Sequence, residues 1–155
     1  MAHGVINFFH LLATSVWIGG MVYIHFVLLP AVSKIDQGEG GKLQGILAKR
    51  FSIIAWSALL ILLITGYLKT PSEMLFNTST QFGIILTIKH TLIIGVIIVG
   101  IMIGAVVVPG LRKYMPKPGE KPAQEFFSFK KKLEVLATTN LTLGALILIC
   151  ASMLW

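Results

Sequence analysis

The chain has 155 residues, of which 55% are hydrophobic and 12% charged. This composition is too apolar for a soluble domain of this length, and it predicts one small transmembrane domain over residues 1–155. The formal net charge of +7 is not taken as a sign of nucleic-acid binding, because the basic residues concentrate in two predicted loops. We therefore expect a lipid bilayer, and no nucleic acid, as a partner of the chain.

Four apolar stretches follow one another along the chain. They cover approximately residues 5–30, 51–69, 82–108 and 133–155, and each is close to the ~20 residues that a membrane-spanning helix needs. No Lys or Arg precedes the first stretch, as one would in a cleavable signal peptide, so we expect this helix to be retained. The prediction is an all-α integral membrane protein, a four-helix bundle.

The basic residues indicate how the bundle is oriented. Residues 31–50 and 109–132 form two basic loops, whereas the link between the second and third stretches offers only Lys69. The positive-inside rule places the two basic loops in the cytoplasm and both termini outside, in a multi-pass protein of the cell (inner) membrane. The glycine-rich part of the first loop, residues 33–49, predicts a flexible or short amphipathic connection. The loop residues are Lys34, Lys42, Lys49, Arg50, Arg112, Lys113, Lys117, Lys121, Lys130, Lys131 and Lys132.

Two histidines, His10 and His90, fall inside the first and third stretches. These two helices run in the same direction, and at 1.5 Å per residue the histidines differ in depth by only ~5 Å. An ionisable residue inside a bilayer is costly and marks a functional site by default. One metal or haem bound by both imidazoles is the first interpretation, and separate hydrogen bonds within the bundle are the alternative. Lys89 is predicted either to meet a haem propionate or to extend to the membrane surface.

Four further residues are weaker candidates. His25 lies ~22 Å along the first helix from His10, at the depth of Met102 in the third, so the two could form a second His/Met site for haem or copper. His3 is one heptad before His10 and could be a third ligand or a solvated residue of the tail. Trp17 could form a wall of a porphyrin site, and Gly20 could make room for it, although helix packing explains both residues too.

The first helix resembles a known superfamily. The segment from His10 through Trp17 to Gly19, Gly20 and Tyr23 is similar to the superfamily of CopD-type copper resistance proteins and HemJ-type protoporphyrinogen oxidases. The second and fourth helices look more CopD-like. The segments that carry this further likeness are Arg50 to Ala55, Thr65-Gly66 and Asn140 to Gly144.

The two branches of the superfamily imply different functions. The HemJ type implies haem b on His10, dependence on Lys89 and porphyrinogen oxidation. The CopD type implies copper uptake, with His and Met as ligands.

Three classes of function remain open. The first is a b-type membrane cytochrome, with His10 and His90 as axial ligands, that moves electrons to or from a quinone or a redox partner subunit; its haem would be non-covalent because Cys150 is the only cysteine. The second is a copper-handling protein. The third is a structural subunit whose small residues pack into a larger complex or a homo-oligomer. No residue is assigned as catalytic, and an oxidoreductase activity would require an open position on the iron.

Overall fold

The computed structural model describes residues 2–35, 37–74, 77–116 and 120–154. Within these ranges the chain forms no strand and four long helices, namely α1 (Ala2–Val32), α2 (Gln37–Lys69), α3 (Gln81–Lys113) and α4 (Gln124–Ser152). Each is long and apolar enough to cross a membrane. The predicted all-α four-helix architecture is confirmed, and the chain is a multi-pass membrane protein. Two residues used in the sequence predictions lie outside the described residues: Lys117, counted in the second basic loop, and Trp155, the predicted end of the fourth span.

Two of the helices begin well before their apolar stretches. α2 is helical from Gln37, so most of residues 33–49, expected to be a flexible or short amphipathic connection, belongs to a long helix. α4 begins at Gln124, ahead of the apolar stretch that starts near residue 133 and within the segment Ala123 to Lys132 that could begin the helix early. Gly40 of α2 is buried against the end of α1, since a Cβ added to it would lie 3.1 Å from the Val32 carbonyl oxygen. Hydropathy detects the part of a helix that lipid surrounds, and it misses turns that continue beyond the membrane.

Both α1 and α3 contain one widened π-helical turn, at Ile24–Leu28 and Ile103–Val107. Pro30 and Pro109 follow these turns at the same spacing. A proline inside a helix lacks an N–H donor, and its ring collides with the carbonyl four residues earlier. An extra residue in the preceding turn relieves that collision, so each helix continues past its proline.

The bundle consists of two helix pairs. α1 packs mainly against α2, and α3 mainly against α4, while α4 also contacts α1. Trp17 and Met21 of α1 contribute to a buried cluster together with Ala58, Val96 and Ile147 of the other three helices. At the α1–α4 contact, a Cβ added to Gly144 would lie 2.8 Å from Ile18 Cδ1, so the glycine permits this close approach.

Candidate functional site

A cavity lies at the end of the bundle opposite the two basic loops, among all four helices. Its volume is about 270 Å³, and its lining is mostly apolar. The polar or ionisable side chains that line it are His10, Thr14, Tyr67, Thr70, Lys89 and His90. We call it the histidine cavity. Both predicted imidazoles and the predicted lysine therefore line one space.

His10 is held by a hydrogen bond from α1 to α2. Its Nδ1 lies 2.7 Å from Thr65 Oγ1, and Thr65 Oγ1 donates its only proton to the Ile61 carbonyl oxygen at 2.6 Å. Since that hydroxyl proton is already engaged, the His10 Nδ1–H must be the donor to Thr65. A neutral His10 then carries its lone pair on Nε2. Fixing the tautomer through the distal nitrogen is how proteins prepare a histidine to bind a metal.

Close approach of α2 helps to position the same ring. Gly66, beside Thr65, lies against it, since a Cβ added there would be 3.8 Å from His10 Cε1. Thr65 is itself buried, with 7% of its surface exposed. The two residues therefore form the wall behind the imidazole.

His90 reaches the cavity from α3. This helix begins at Thr80, whose hydroxyl accepts the Gly83 N–H at 3.1 Å. His90 is half-buried. It lines the histidine cavity together with His10.

Lys89 makes the cavity electropositive. Its ammonium acts electrostatically on both His10 and His90, and Lys69 adds to the positive potential at His10. Cys150 of α4 is near enough to Lys89 to interact with it electrostatically. No carboxylate is found among the residues that line the cavity. A bound cation therefore meets a like charge, and an anionic group meets an opposite one.

Of the remaining candidates, Trp17 lines the histidine cavity and the others do not. Trp17 is buried, whereas Gly20 is not among the lining residues, and the Phe51 ring fills the space beside it. His3 is exposed at the start of α1. Met102 is 45% exposed and lines a different cavity, whose lining does not include His25. The predicted His25–Met102 pair is thus not brought together in a common cavity.

The donor set suits a small guest better than a large one. The described parts of the chain contain no group of three or more His, Cys, Asp or Glu side chains that could hold a metal ion. Two imidazoles are sufficient for a soft monovalent ion of low coordination number such as Cu(I). The cavity's volume of about 270 Å³ is below the ~300–1,000 Å³ of typical ligand pockets. The space beside Gly20, which was expected to make room for a porphyrin, is filled by the Phe51 ring. The structure therefore does not leave the space that a whole porphyrin requires.

Sequence reasoning did not assign a role at the site to Thr65. It entered only as part of the likeness in the second helix, although a hydroxyl in an otherwise apolar span is a recognisable signal. Its contact with His10 depends on how α1 packs on α2, which no single helix reveals.

Comparison with known proteins identifies the family. The family model described as copper resistance protein D (CopD) matches residues 45–154, which is more than half of the chain. The chain belongs to the CopD family. The match begins at Gly45, so it covers α3, α4 and most of α2, whereas His10 in α1 lies outside it. No curated protein and no solved structure matches the chain. The resemblance expected from the second and fourth helices is confirmed.

Proposed function

We propose that this CopD-family protein handles copper, binding Cu(I) as cargo in the histidine cavity with His10 and His90 as ligands. The observation that carries the proposal is the Thr65 hydrogen bond, which leaves His10 Nε2 as the nitrogen free for a metal. Imidazole is a good copper ligand. The ion arrives from the outer side of the cell membrane if the two basic loops face the cytoplasm.

The charge in the cavity favours copper as a monovalent ion. Lys89 already supplies one positive charge, and repulsion grows in proportion to the charge of the guest. A divalent ion would therefore be opposed twice as strongly as Cu(I). With no thiolate or carboxylate among the lining residues, the site is a weak, exchangeable one, as transfer of a cargo ion requires.

The test is metal binding by the purified full chain in nanodiscs. We expect a colourless protein that binds one Cu(I), or the redox-inert surrogate Ag(I), at the histidine cavity. His10→Ala should lose this binding. The matched control is His3→Ala, because His3 lies on the same helix but is exposed and outside the cavity. Unchanged binding in His10→Ala would refute the assignment.

A second candidate is a b-type haem protein, favoured by the mostly apolar lining and by Lys89, whose ammonium would pair with a propionate. Its haem would supply one-electron chemistry, and His10 and His90 would hold the iron. The cavity would have to widen, because Phe51 packs against Gly20. A sharp haem absorption band that shifts on dithionite reduction and disappears in His10→Ala would favour this candidate over copper.

A further inference from the structure

Two buried polar atoms of the spans have no hydrogen-bond partner among the described residues. They are His25 Nδ1 and Asn140 Oδ1. Neither residue lines the histidine cavity. An unsatisfied polar atom inside a bilayer carries a large desolvation penalty, because no bulk water is present to replace the missing partner. Each of these two atoms therefore needs a partner other than the described residues.

The packing of α1 on α4 brings these two residues to one level. The two helices run in opposite directions, and Met21 of α1 meets Gly144 of α4, where an added Cβ would be 3.1 Å from Met21 Cε. His25 lies four residues beyond Met21, and Asn140 lies four residues before Gly144. Each is therefore about one helical turn from that contact, toward the basic loops and on the same face.

Three side chains near the Met21–Gly144 contact carry atoms that could bind a metal ion. Met21 is buried and supplies a thioether, His25 an imidazole nitrogen and Asn140 an amide oxygen. A bridging water would satisfy the nitrogen and the oxygen but would gain little from the thioether, which is a weak acceptor. Thioether and imidazole together select Cu(I). His25 also lies in the widened turn Ile24–Leu28, and such π-helical turns are frequent at functional sites.

We propose that Met21, His25 and Asn140 form a second Cu(I) site in the half of the bundle nearer the basic loops. This inference rests on the proposed function, and it replaces Met102 as the predicted partner of His25. The site lies ~22 Å along α1 from His10. Buried Trp17 lies between the two positions on α1. The protein would thus have one Cu(I) binding site in each half of the membrane.

The experiment is Ag(I) titration of the full chain in nanodiscs, followed by nitrogen-15 NMR of the histidine rings. His10 should respond at Nε2, since its Nδ1 is bonded to Thr65, whereas His25 should respond at Nδ1. Asn140→Leu and Met21→Leu should lose the His25 response and one bound Ag(I) while the His10 response is kept. Met102→Leu is the matched control, because this methionine is exposed and should change neither response.

The outcomes separate this inference from the function on which it rests. A His10 response without any at His25 overturns the second site alone, and indicates that water or another small molecule satisfies the buried atoms. No response at either histidine overturns the copper function as well. A His25 response that persists in Asn140→Leu and in Met21→Leu overturns the ligand assignment. Circular dichroism of each variant verifies the fold, which an apolar replacement of a buried unpaired amide should preserve.

Discussion

Replacing Thr65 by valine removes one hydroxyl while the branched shape of the side chain is kept. In the wild type, that oxygen accepts the His10 Nδ1–H at 2.7 Å and donates to Ile61 at 2.6 Å. In Thr65→Val the carbonyl of Ile61 remains within the helix, but the imidazole N–H has no acceptor. The ring must then rotate or move its proton to Nε2, which is the nitrogen proposed to bind copper.

The expected loss of affinity follows from that single hydrogen bond. A buried donor without a partner costs about 1–3 kcal/mol, and each ~1.4 kcal/mol corresponds to a factor of ten in Kd. Groups that orient a metal-binding histidine are typically worth about 10–100-fold in metal affinity. We therefore expect Thr65→Val to weaken Cu(I) or Ag(I) binding by about 10–100-fold. The bundle should still fold, because hydrogen bonds between membrane helices contribute on average only about 0.6 kcal/mol to stability.

The assay is competition with a chromogenic Cu(I) chelator, combined with nitrogen-15 NMR to identify the tautomer. Thr14→Val is the matched control, since Thr14 also lines the cavity, but its hydroxyl bonds the His10 backbone oxygen at 2.7 Å rather than the ring. Thr65→Ser keeps the hydroxyl, so it should retain most of the wild-type affinity for Cu(I). If Thr65→Val binds copper as tightly as Thr14→Val does, the tautomer argument is wrong.

Two further predictions concern charge. Lys89→Met should strengthen Cu(I) binding by roughly 10-fold or more, because it removes a like charge from the cavity lining, and two unit charges within ~10 Å repel by at least about 1.7 kcal/mol at an effective dielectric constant of ~20. A haem that uses Lys89 for a propionate would instead be bound less tightly, so the direction of the change in Kd distinguishes the two candidates. Alkaline phosphatase fused after the C-terminus should be active and a fusion within the third loop, after Lys113, inactive, since the basic loops are predicted to be cytoplasmic; the reverse pattern would contradict this orientation.

Much of the architecture could be predicted from local sequence. Four apolar stretches gave the number of helices because the length of a spanning helix is set by the thickness of the bilayer. The early start of α2 at Gln37 was missed, since turns outside the lipid carry no hydropathy signal, whereas the stretch from Ala123 to Lys132 had been recognised as a possible early start of α4, which begins at Gln124. The spacing of His10 and His90 from their helix ends placed them at similar depth, and the structure has both lining the histidine cavity.

Contacts between helices could not be predicted in the same way. Gly20 was a candidate for making room for a porphyrin, but Phe51 of α2 fills the space beside it. Met102 matches His25 in depth, but it is 45% exposed and lines a different cavity. Depth along a helix follows from counting residues, whereas the direction in which a side chain points relative to its neighbours depends on helix rotation and crossing.

The sequence by itself determined that this is a multi-pass helical membrane protein with ionisable residues inside its spans, because hydropathy and helical rise are properties of each segment alone. Only the tertiary structure decided that Thr65 is the partner of His10 Nδ1, and that His25 Nδ1 and Asn140 Oδ1 are buried without a hydrogen-bond partner among the described residues. These features depend on how α1 packs against α2 and α4. That packing depends on residues that are distant in the chain, such as Met21 and Gly144, which come into contact only once the bundle has formed.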